Sequence, residues 1–576
     1  MQNTEVKSEA GLKQFHKVTN RHVLVLEADI QEQDKRRLLH MSNTIRIAGN
    51  ELIAIMKRQY EQLLRTKRYR YLQEMYAKAK KAEDKKQMGV IADIMTDMQK
   101  SYHVTWEFCR KSMIEINQRY KINSIFALSK AEDVWQAVEK CLYSDGHTIH
   151  FKKYGDYPEI RAKQVNRGIV VSADNKGIVL KIGKMRFSPI VNKPKHIKTR
   201  KGSRIQVQES HDIFAESEME AILSYLSNPE VVDKATLDLY NKKGRVMDTF
   251  RPCFASISFK EIRGNMRVYI HITIEGRPKP KHKKDGTMRH QYGKGFVGCD
   301  IGPQSIAYTS KNEVGLKNLA ERGSSIKSRE QKEARLLRKM DRSRRAANPD
   351  NYNDDGTIRK GKKTWKKSNR YKKLCCQYRN ICRIASENRH FSINEEVNHI
   401  RALGDIFVTE PKNTKKLQKR AKKTARQDTA SIVKKSDGTE ISVHKYKRKK
   451  RHGKSIKNRC PGYFQAQAKA KFERTGGTYI EAPVTYRASQ YDHTCNKYIK
   501  KALSQRMYEL ANGTRVQRDW YSSFLMYCIA SDLQSISRYK CKRYFDELYA
   551  KYLEVEQHII NNKIIVMNSG IKLKSA

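Results

Sequence analysis

The sequence lacks the patterns that mark disulfide-rich, zinc-finger and membrane proteins. Its 11 cysteines include no Cys-x-x-Cys pair, and only Cys375 and Cys376 adjoin. Scattered thiols are typical of a reduced, intracellular protein and disfavour a zinc site built on paired cysteines. No stretch approaches the roughly 20 apolar residues of a membrane-spanning helix, and the opening "MQNTEVKSEAGLKQF" lacks the apolar core of a signal peptide. These absences predict a cytoplasmic protein that has no membrane partner.

Acidic residues are also scarce. The 576 residues include 61 Asp and Glu against 118 Lys and Arg, so the formal net charge is +57. A chain with this charge would repel itself unless a polyanion neutralised it. The basic residues are spread over the whole length, which favours nucleic acid over a membrane surface as the partner.

The sequence pattern of the first half of the chain predicts a β-rich domain with a helical insertion. Residues 21–30 are rich in Val and Leu and predict a strand. Apolar residues then recur at steps of three and four from Leu38 to Ile55, which predicts helices that continue to about Tyr143. From about Gly146, short β-like runs such as 147–163 alternate with Gly, Asn and Pro. We expect a small antiparallel barrel or sandwich that includes the first strand.

The second half begins after a basic linker at residues 277–295 and mixes strands with basic helices. Between Pro411 and Cys460 there are 19 Lys and Arg but 3 Asp and Glu, a composition typical of segments that are disordered in isolation. Residues 295–310 predict a strand that ends on Asp300, a turn through a glycine and a second strand-like run. The other predicted elements are strands at 405–410 and 478–484, and helices at 328–348, 364–404 (one or two), 463–477 and 515–533.

Three acids stand out by their positions. Asp300 and Glu410 each close an apolar strand, and Asp519 lies at the start of an amphipathic helix. Burying a carboxylate costs on the order of several kcal/mol of folding free energy unless a cation or hydrogen-bond donors compensate it. Each acid also has a plain explanation: a turn cap for Asp300, an exposed strand end for Glu410, and a favourable helix-dipole charge for Asp519.

Taken together, a strand with Asp, a later strand with Glu and a helix with Asp resemble the RuvC-type nuclease core, which has an RNase H-like fold. The surrounding segments resemble the TnpB transposon nucleases and the compact type V CRISPR effectors. These segments are "FVGCDIGPQSIAYTS", "IFVTEPKNTKKL", "CPGYFQAQAKAKFERTGGTYIEAPVTYRASQ" and "VQRDWYSSFL". The resemblance covers most of residues 295–530, whereas the N-terminal half agrees in layout only.

The resemblance implies a multidomain α+β protein, in which an RNase H-like (RuvC) α/β nuclease domain accompanies a β-barrel wedge domain with an inserted helical recognition lobe. The expected domains are 1–30 (start of the wedge), 31–144 (recognition lobe), 145–290 (wedge continued), 291–410 (first nuclease segment with basic bridging helices), 411–460 (basic lid), 461–488 (second nuclease segment), 489–514 (degenerate zinc-finger-like insert for target nucleic acid) and 515–576 (third nuclease segment and tail).

The chemistry of phosphodiester hydrolysis explains the role that these acids would have in such a fold. Two divalent ions roughly 3.5–4 Å apart can stabilise both the attacking and the leaving oxygen, and Mg²⁺ prefers oxygen ligands. The resemblance therefore makes Asp300, Glu410 and Asp519 the catalytic residues and the ligands of Mg²⁺, with Mn²⁺ as a substitute. Gly302 would keep the turn after Asp300 unobstructed.

The sequence departs from this family at two places. Relatives carry two cysteine pairs for zinc before the final Asp, whereas here Cys495 is the sole cysteine of that stretch. Asp492, His493 and Cys495 are weak zinc candidates, because a structural site normally has four ligands with paired thiolates; we expect a metal-free hairpin and no zinc. The second departure is Tyr521, where many relatives have Asn.

In this interpretation the basic segments hold a guide RNA and target double-stranded DNA, and base pairing supplies sequence specificity. The helix at 328–348 resembles the basic bridging helix of such enzymes, and the run after Glu410 would form a lid that becomes ordered on nucleic acid. Tyrosines in "KRYRYLQEMY" either stack on unpaired bases or pack between helices. The nucleic-acid-binding candidates are Arg335, Arg338, Arg342, Lys415, Lys416, Lys419, Arg420 and Arg518.

The leading hypothesis is an RNA-guided DNA endonuclease of the prokaryotic cytoplasm that acts at the nucleoid. It would recognise a short motif beside a complementary target and cleave DNA by two-metal hydrolysis. An RNA-guided repressor with little nuclease activity and a DNA transposase on the same fold are the alternatives. Transposase cores usually order their acids Asp–Asp–Glu, whereas this chain has Asp–Glu–Asp. A CRISPR context and a transposon context both remain open.

Overall fold

The computed structural model describes residues 21–144, 146, 148–163, 167–174, 177–190, 192–198, 204–211, 251–275, 285–321, 326–418, 428–434, 438–444, 453–502 and 504–573. The chain divides into two compact units, Met1–Lys281 and His282–Ala576. The boundary falls within the basic linker expected at residues 277–295. Each unit contains helices and β-sheets, so the architecture is multidomain α+β, which confirms this coarse part of the expected fold class.

The helical block of the N-terminal unit forms because its apolar residues recur with the period of an α-helix. Leu38, Ile45 and Leu52 are at most 2% exposed and form the buried stripe of α1. Side-chain caps fix the starts of the last three helices of the block; Thr105, for example, accepts from Phe108 N at the start of the helix Trp106–Tyr120. The helices are α1 (Glu32–Arg65), α2 (Lys67–Lys81), α3 (Lys85–Ser101), α4 (Trp106–Tyr120) and α5 (Ser124–Tyr143).

The sheet of this unit is antiparallel throughout and places the N-terminal strand near its centre. β1 pairs with β9 on one side, with Arg21 opposite Glu275, and with β5 on the other, with Glu27 opposite Ile190. The strand order is β2-β8-β9-β1-β5-β4-β3, and β6 and β7 pair separately. The strands are β1 (Arg21–Asp29), β2 (Ile160–Ala162), β3 (Val170–Asp174), β4 (Gly177–Ile182), β5 (Met185–Ile190), β6 (Asn192–Lys198), β7 (Arg204–His211), β8 (Arg251–Ile262) and β9 (Asn265–Glu275).

The helices α1–α5 lie in the chain between β1 and β2, as the sequence predicts. The β-like run expected at residues 147–163 is wrong for most of its length, because within the described residues it contributes the three-residue strand β2 alone. Its polar part, from His150 to Asp156, is exposed and has no neighbouring strand. No pairing among the described strands joins β2 to β3, so closure into a barrel stays a prediction.

A mixed five-stranded sheet organises the C-terminal unit. β10 (Phe296–Ile301), β11 (Ser305–Ser310) and β12 (Val314–Asn318) form an antiparallel meander. The strand β13 (Ile406–Thr409) pairs in parallel with β10, and β16 (Thr478–Glu481) pairs in parallel with β13, which gives the order β12-β11-β10-β13-β16. Their neighbours in the chain are α6 (Ile326–Ala346), α7 (Asn369–Leu403), α8 (Thr414–Gln418), β14 (Ser431–Lys434), β15 (Glu440–Val443), α9 (Gly453–Arg459) and α10 (Pro461–Arg474).

Helices cover both faces of this sheet. Val297, Cys299 and Phe407 face a core that contains Ile393 of α7 and Phe472 of α10. Val408 and Ile480 point to the opposite face, where Trp520 and Phe524 pack. The final elements are β17 (Tyr491–Asp492), β18 (Lys497–Tyr498), β19 (Met507–Glu509), β20 (Arg515–Gln517), α11 (Arg518–Tyr527) and α12 (Arg538–Asn561).

Most helices expected in this unit are present, with changed bounds. The segment 364–404 contains one helix, α7, which begins at Asn369, where Ser368 caps it. The helix expected at 515–533 is shorter, because residues 515–517 form β20 and α11 ends at Tyr527. Within the described parts of residues 411–460, short elements form: α8, the β14–β15 hairpin and α9. None of the helices that the structure describes combines the length and apolar composition needed to cross a bilayer.

Candidate active site

Asp300 and Glu410 lie side by side at one edge of the five-stranded sheet. Cys299 pairs with Thr409 in the parallel register of β10 and β13, and each acid comes one residue later. Because side chains alternate along a strand, both acids point to the same face as Val408, the face that α11 covers. Parallel pairing of two strands that end in an acid therefore brings the two carboxylates to one place.

The turn after Asp300 is tight. Gly302 N donates a hydrogen bond to Ser305 O at 2.8 Å, and a Cβ added at Gly302 would come within 2.9 Å of that same oxygen. Glycine thus allows the chain to reverse into β11 directly beyond the acid, in agreement with the role expected from the sequence.

Asp519 reaches this edge because α11 packs unusually close to β10. A Cβ added at Gly298 would lie 2.1 Å from Ser523 O and 2.3 Å from Tyr527 N, so a larger residue would push the helix away. Thr309 Oγ1 and Ser523 Oγ, 2.7 Å apart, tie α11 to β11. At the start of the helix, Gln517 Oε1 accepts from Trp520 N at 2.6 Å. These contacts fix the first turn of α11, which carries Asp519.

The three carboxylates act on one another electrostatically. Burial, followed by the charge on Asp300, raises the pKa of Glu410 above its ordinary value. The same two causes raise the pKa of Asp519 to about 6. The side chains of Asp300 and Asp519 are 12% and 15% exposed. Negative charge is therefore concentrated where little water is available to screen it, which is the condition that favours a bound cation.

A lysine supplies one such cation. Lys412 Nζ lies 2.5 Å from Asp300 Oδ1 and also donates to the carbonyl oxygen of Ile301. Burial lowers the pKa of Lys412, but Asp300, Glu410 and Asp519 raise it, in that order of strength, and the net pKa lies above the ordinary value. The ammonium group is thus within electrostatic range of all three acids.

Other groups complete the surroundings of the acids. Ala488 N donates to Glu410 Oε1 at 2.9 Å and orients that carboxylate. Arg506 Nη1 lies 3.7 Å from Asp519 Oδ1. Arg518, which the sequence analysis expected to bind nucleic acid, lowers the pKa of both Glu410 and Asp519 through its charge. The site therefore combines three acids with three cationic side chains.

Sequence reasoning missed Lys412, Arg506 and the amide of Ala488. Lys412 stands two residues after Glu410, but it is one of 19 basic residues between 411 and 460 and nothing in the pattern distinguishes it. Arg506 lies in an irregular segment and Ala488 begins a three-residue 3₁₀ helix, and the contacts of such segments carry no periodic signal. Proximity to a strand-terminal acid is the one signal that could have pointed to Lys412.

The donor set suits a hard cation, because carboxylate oxygens are the ligands that Mg²⁺ prefers. Among the residues that the structure describes, however, no group of three His, Cys, Asp or Glu side chains is close enough together to hold a metal ion. Lys412 lies against Asp300 instead. The acids share one face and one electrostatic environment but do not form a closed cage.

The weak zinc candidates have other roles in the fold. Both oxygens of Asp492 accept hydrogen bonds: Oδ1 from the amide and hydroxyl of Thr494, and Oδ2 from Ala511 N. His493 is 4% exposed, and its Nδ1 lies 2.8 Å from Tyr521 Oη. Cys495 is partly exposed. Tyr521 thus joins α11 to the β17–β18 hairpin.

The basic residues expected to contact nucleic acid fall into three groups: Arg518 beside the acids, three arginines of α6, and four residues of the basic segment after Glu410. Arg335, Arg338 and Arg342 are exposed on α6, and their spacing places them on one helix face. Lys415 and Lys416 lie in α8, but their side chains are outside the described part of the structure, as are Lys419 and Arg420 entirely.

A cavity adjoins Arg342 of α6. It has a volume of about 670 Å³ and lies between the end of α6 and the start of α7. Its polar lining residues are Lys339, Arg342, Ser343, Ser368 and Arg370. Three cations and two hydroxyls around one cavity suit a phosphate group.

Comparison with solved structures gives distant likenesses. No family model matches the chain, and no curated protein matches it. Among solved structures, the chain is similar to the Cas12i1 R-loop complex before target DNA cleavage, with 10% sequence identity and a TM-score of 0.25. The match covers 90% of this chain and 66% of that chain. A TM-score this low supports no particular fold, so the site is interpreted from its own residues.

Proposed function

We propose that this chain is an RNA-guided DNA endonuclease with a RuvC-like, Mg²⁺-dependent site. The observation that carries the proposal is the convergence of Asp300, Glu410 and Asp519, from two parallel strands and one helix, at one edge of the sheet. The charge on Asp300 raises the pKa of both other acids. The strand order β12-β11-β10-β13-β16, with a three-stranded meander followed by two parallel strands, supports an RNase H-like core.

Asp300, Glu410 and Asp519 would hold the metal ions. Bound Mg²⁺ would stabilise the negative charge that develops on the attacking and leaving oxygens of the phosphodiester. Ala488 N keeps Glu410 oriented. Lys412 would release the Asp300 oxygen that it now contacts, so that this oxygen becomes a ligand. Arg506 and Arg518 add positive charge beside Asp519 and Glu410, where a phosphate would approach.

The proposed partners are a guide RNA and double-stranded target DNA. The net charge of +57 suits a complex in which the protein holds a heteroduplex through its phosphates, while base pairing reads the sequence. The arginine face of α6 and the adjacent cavity would contact the backbone, and the basic segment after Glu410 would act as a lid. Recognition of a short motif beside the target belongs to the N-terminal unit in this proposal.

The experiment is a cleavage assay with the RNA that copurifies with the protein. After that RNA has been sequenced, a DNA duplex that matches it is incubated with the complex in Mg²⁺ or Mn²⁺. We expect cleavage, and we expect Asp300→Asn to reduce its rate by at least about 100-fold, the scale of losing one electrostatic element of a catalytic site. Binding of the duplex should persist in this variant. A complex that binds matched DNA but leaves it intact would refute the endonuclease.

A neighbouring acid provides the control. Glu481 ends β16 opposite Thr409 and is exposed, so its side chain alternates to the face opposite Glu410. Glu481→Gln should cleave like the wild type, whereas Glu410→Gln should not. The copurified RNA also separates the two biological contexts: repeat-derived ends indicate a CRISPR locus, and overlap with the 3′ end of the protein's own gene indicates a transposon.

A second candidate is an RNA-guided DNA-binding repressor. The contact between Lys412 and Asp300 favours it, because an internal cation that is never displaced would keep the metal out. Titration calorimetry with Mg²⁺ separates the two functions. Binding by the wild type but not by Asp300→Asn supports the endonuclease, and no binding by either supports the repressor.

A further inference from the structure

The segment from His150 to Asp156, in the N-terminal unit, presents two aromatic rings to solvent. Phe151 is 49% exposed and Tyr154 is 84% exposed, and every residue of the segment is exposed. Isolated exposed apolar residues are ordinary. Here, by contrast, two exposed rings lie three residues apart on one segment, and hydrogen bonds hold that segment in place.

Helix α1 holds the segment at two points. Asn50 bonds both backbone groups of Lys152: its Oδ1 accepts from Lys152 N at 2.9 Å and its Nδ2 donates to Lys152 O at 2.8 Å. Farther along, Ser42 Oγ donates to Pro158 O at 2.6 Å. The backbone between these points is therefore fixed on the helix, although its side chains are in water.

A turn with its own hydrogen bonds sets the position of Tyr154. Asp156 N donates to Lys153 O, and Asp156 Oδ2 accepts from Lys153 N, each at 3.1 Å. Gly155 follows Tyr154 with φ +86°, a conformation that glycine adopts without strain. The tyrosine therefore stands at the tip of a defined turn.

Each ring has a cation beside it. Arg46 Cζ lies 5.8 Å from the ring centroid of Tyr154, and Lys57 Nζ lies 5.6 Å from that of Phe151. Arg46 is itself positioned by hydrogen bonds to Asn43 Oδ1 and to Lys152 O. Exposed rings, each flanked by positive charge, match what a nucleotide offers: a flat base and a phosphate.

We propose that Phe151 and Tyr154 form a stacking platform that binds unpaired bases of a single-stranded nucleic acid. Every base has a π face, so the platform needs no particular sequence. Lys152 and Lys153, exposed on the same segment, would contact the phosphates between the stacked bases. The platform lies in the N-terminal unit and does not depend on the nuclease site.

The test uses the full-length protein and fluorescence anisotropy with a fluorescein-labelled 12-nucleotide oligo-uridine and a 20-base-pair DNA duplex. Tyr154→Leu combined with Phe151→Leu should raise the Kd for the single strand by about 10-fold or more, the scale of lost base stacking. The Kd for the duplex should change less than about twofold, since the charges on which duplex binding depends are kept. Tyr154→Phe keeps a ring and should bind the single strand like the wild type.

Two controls separate stacking from charge and from exposure. Lys152→Ala with Lys153→Ala should reduce the salt dependence of single-strand binding by a slope of about 1.4, whereas the leucine variant should leave the slope unchanged. Phe391 is 59% exposed on the helix α7 of the C-terminal unit, so Phe391→Leu should leave single-strand binding unchanged. Oligonucleotides with 5-iodouridine should photocrosslink to the peptide that contains Phe151 and Tyr154.

Two results would overturn the platform. One is unchanged single-strand binding by the double leucine variant, which would leave the rings for a protein partner. The other is an equal loss of single-strand and duplex binding, which would indicate a general defect in charge or folding.

Discussion

The ammonium nitrogen of Lys412 lies 2.5 Å from Oδ1 of Asp300, at the point where β10 ends. The same nitrogen donates to the carbonyl oxygen of Ile301, so it is held by the strand as well as by the acid. The protein thus carries a positive charge of its own among three carboxylates. If these acids bind Mg²⁺, the metal and the lysine compete for Asp300.

This competition predicts that Lys412→Met lowers stability more without metal than with it. In EDTA the variant leaves Asp300, which is 12% exposed, beside two other acids without its cation. We expect a loss of stability of about 1–3 kcal/mol, the cost of removing one partner of a buried polar group. In Mg²⁺ the loss should shrink, and the Kd for Mg²⁺ measured by calorimetry should fall.

Lys294 offers a matched control for this variant. It pairs with Asp405 at 3.1 Å but is itself 88% exposed, and exposed pairs contribute at most about 1 kcal/mol. Lys294→Met should change neither stability in EDTA beyond that amount nor the affinity for Mg²⁺. If Lys412→Met bound Mg²⁺ more weakly than the wild type, competition would be excluded.

The close packing of α11 on β10 predicts that Gly298→Ala is damaging. The new Cβ would meet backbone atoms, Ser523 O and Tyr527 N, so the helix must shift. Overpacking of this kind costs about 1–3 kcal/mol, which urea denaturation can measure. Because α11 carries Asp519, cleavage should fall further than the loss of folded protein explains.

Gly89→Ala is the control for Gly298→Ala, because an added Cβ has free space there. It lies in the exposed middle of α3, with no atom within 4 Å of an added Cβ. Gly89→Ala should stabilise the protein by about 0.5–1 kcal/mol. Normal stability and cleavage in Gly298→Ala would show that the position of α11 is not set by this contact.

The arginine face of α6 predicts a change in the salt dependence of nucleic-acid binding. Replacing Arg335, Arg338 and Arg342 together by Gln should weaken binding of duplex DNA. The slope of log K against log salt should become smaller by about 0.9 for each phosphate that the variant no longer neutralises. Anisotropy at several salt concentrations measures this slope.

The control replaces two arginines of the same helix that share one carboxylate as their ion-pair partner. Arg344 and Arg345 pair with Asp341 at 2.8 and 2.7 Å. Changing both to Gln should alter the slope less than the triple variant does. An equal change of slope per charge removed in the two variants would show that α6 contributes only through its net charge.

The pairing of His399 with Glu313 in the C-terminal unit predicts a pH dependence of stability. His399 Nε2 lies 2.8 Å from Glu313 Oε1. The hydrogen bond to His399 lowers the pKa of Glu313 below 4.5, and the bond to Glu313 raises the pKa of His399 above 6.5. The stabilisation from His399 is complete below pH 6.5 and is lost as the pH rises through the raised value. That from Glu313 is complete above pH 4.5 and is lost as the pH falls through the lowered value.

The pair should therefore stabilise the protein most between about pH 4.5 and 6.5. Its effect will be small, because the side chains are 41% and 40% exposed and solvent screens them. Thermal unfolding of the wild type, His399→Gln, Glu313→Gln and the double variant gives the coupling at each pH. A coupling that stays constant from pH 5 to 9 would contradict the assignment.

The three acids could be found from the sequence because each signal is local. An apolar run that ends in Asp300 or Glu410 shows a strand delivering a charge, and parallel pairing then brings the two ends together. The stripe from Leu38 to Leu52 likewise predicts its helix, because burial on one face imposes the period. Periodic signals of this kind carry most of the fold.

Contacts from irregular segments could not be predicted in the same way. Lys412 is one cation in a basic run, and its position depends on how the chain turns after Pro411. Residues 150–156 look β-like because of their aromatic residues, yet Asn50 holds them as an exposed loop. Asp492 suggested a metal ligand, but its oxygens accept bonds from Thr494 and Ala511. Such roles depend on tertiary geometry, which one sequence does not encode locally.

The pairing of Arg21 with Glu275 has a consequence for biosynthesis. β5, which pairs with the end of β1, is synthesised earlier, but β1 cannot pair with β9 until some 250 further residues have been made, which at about 5–20 residues per second takes roughly 10–50 s. Until then the edge of β1 that β9 will cover, from Arg21 to Glu27, has no strand beside it. The helices α1–α5 are therefore made while this edge is open to pairing with another chain.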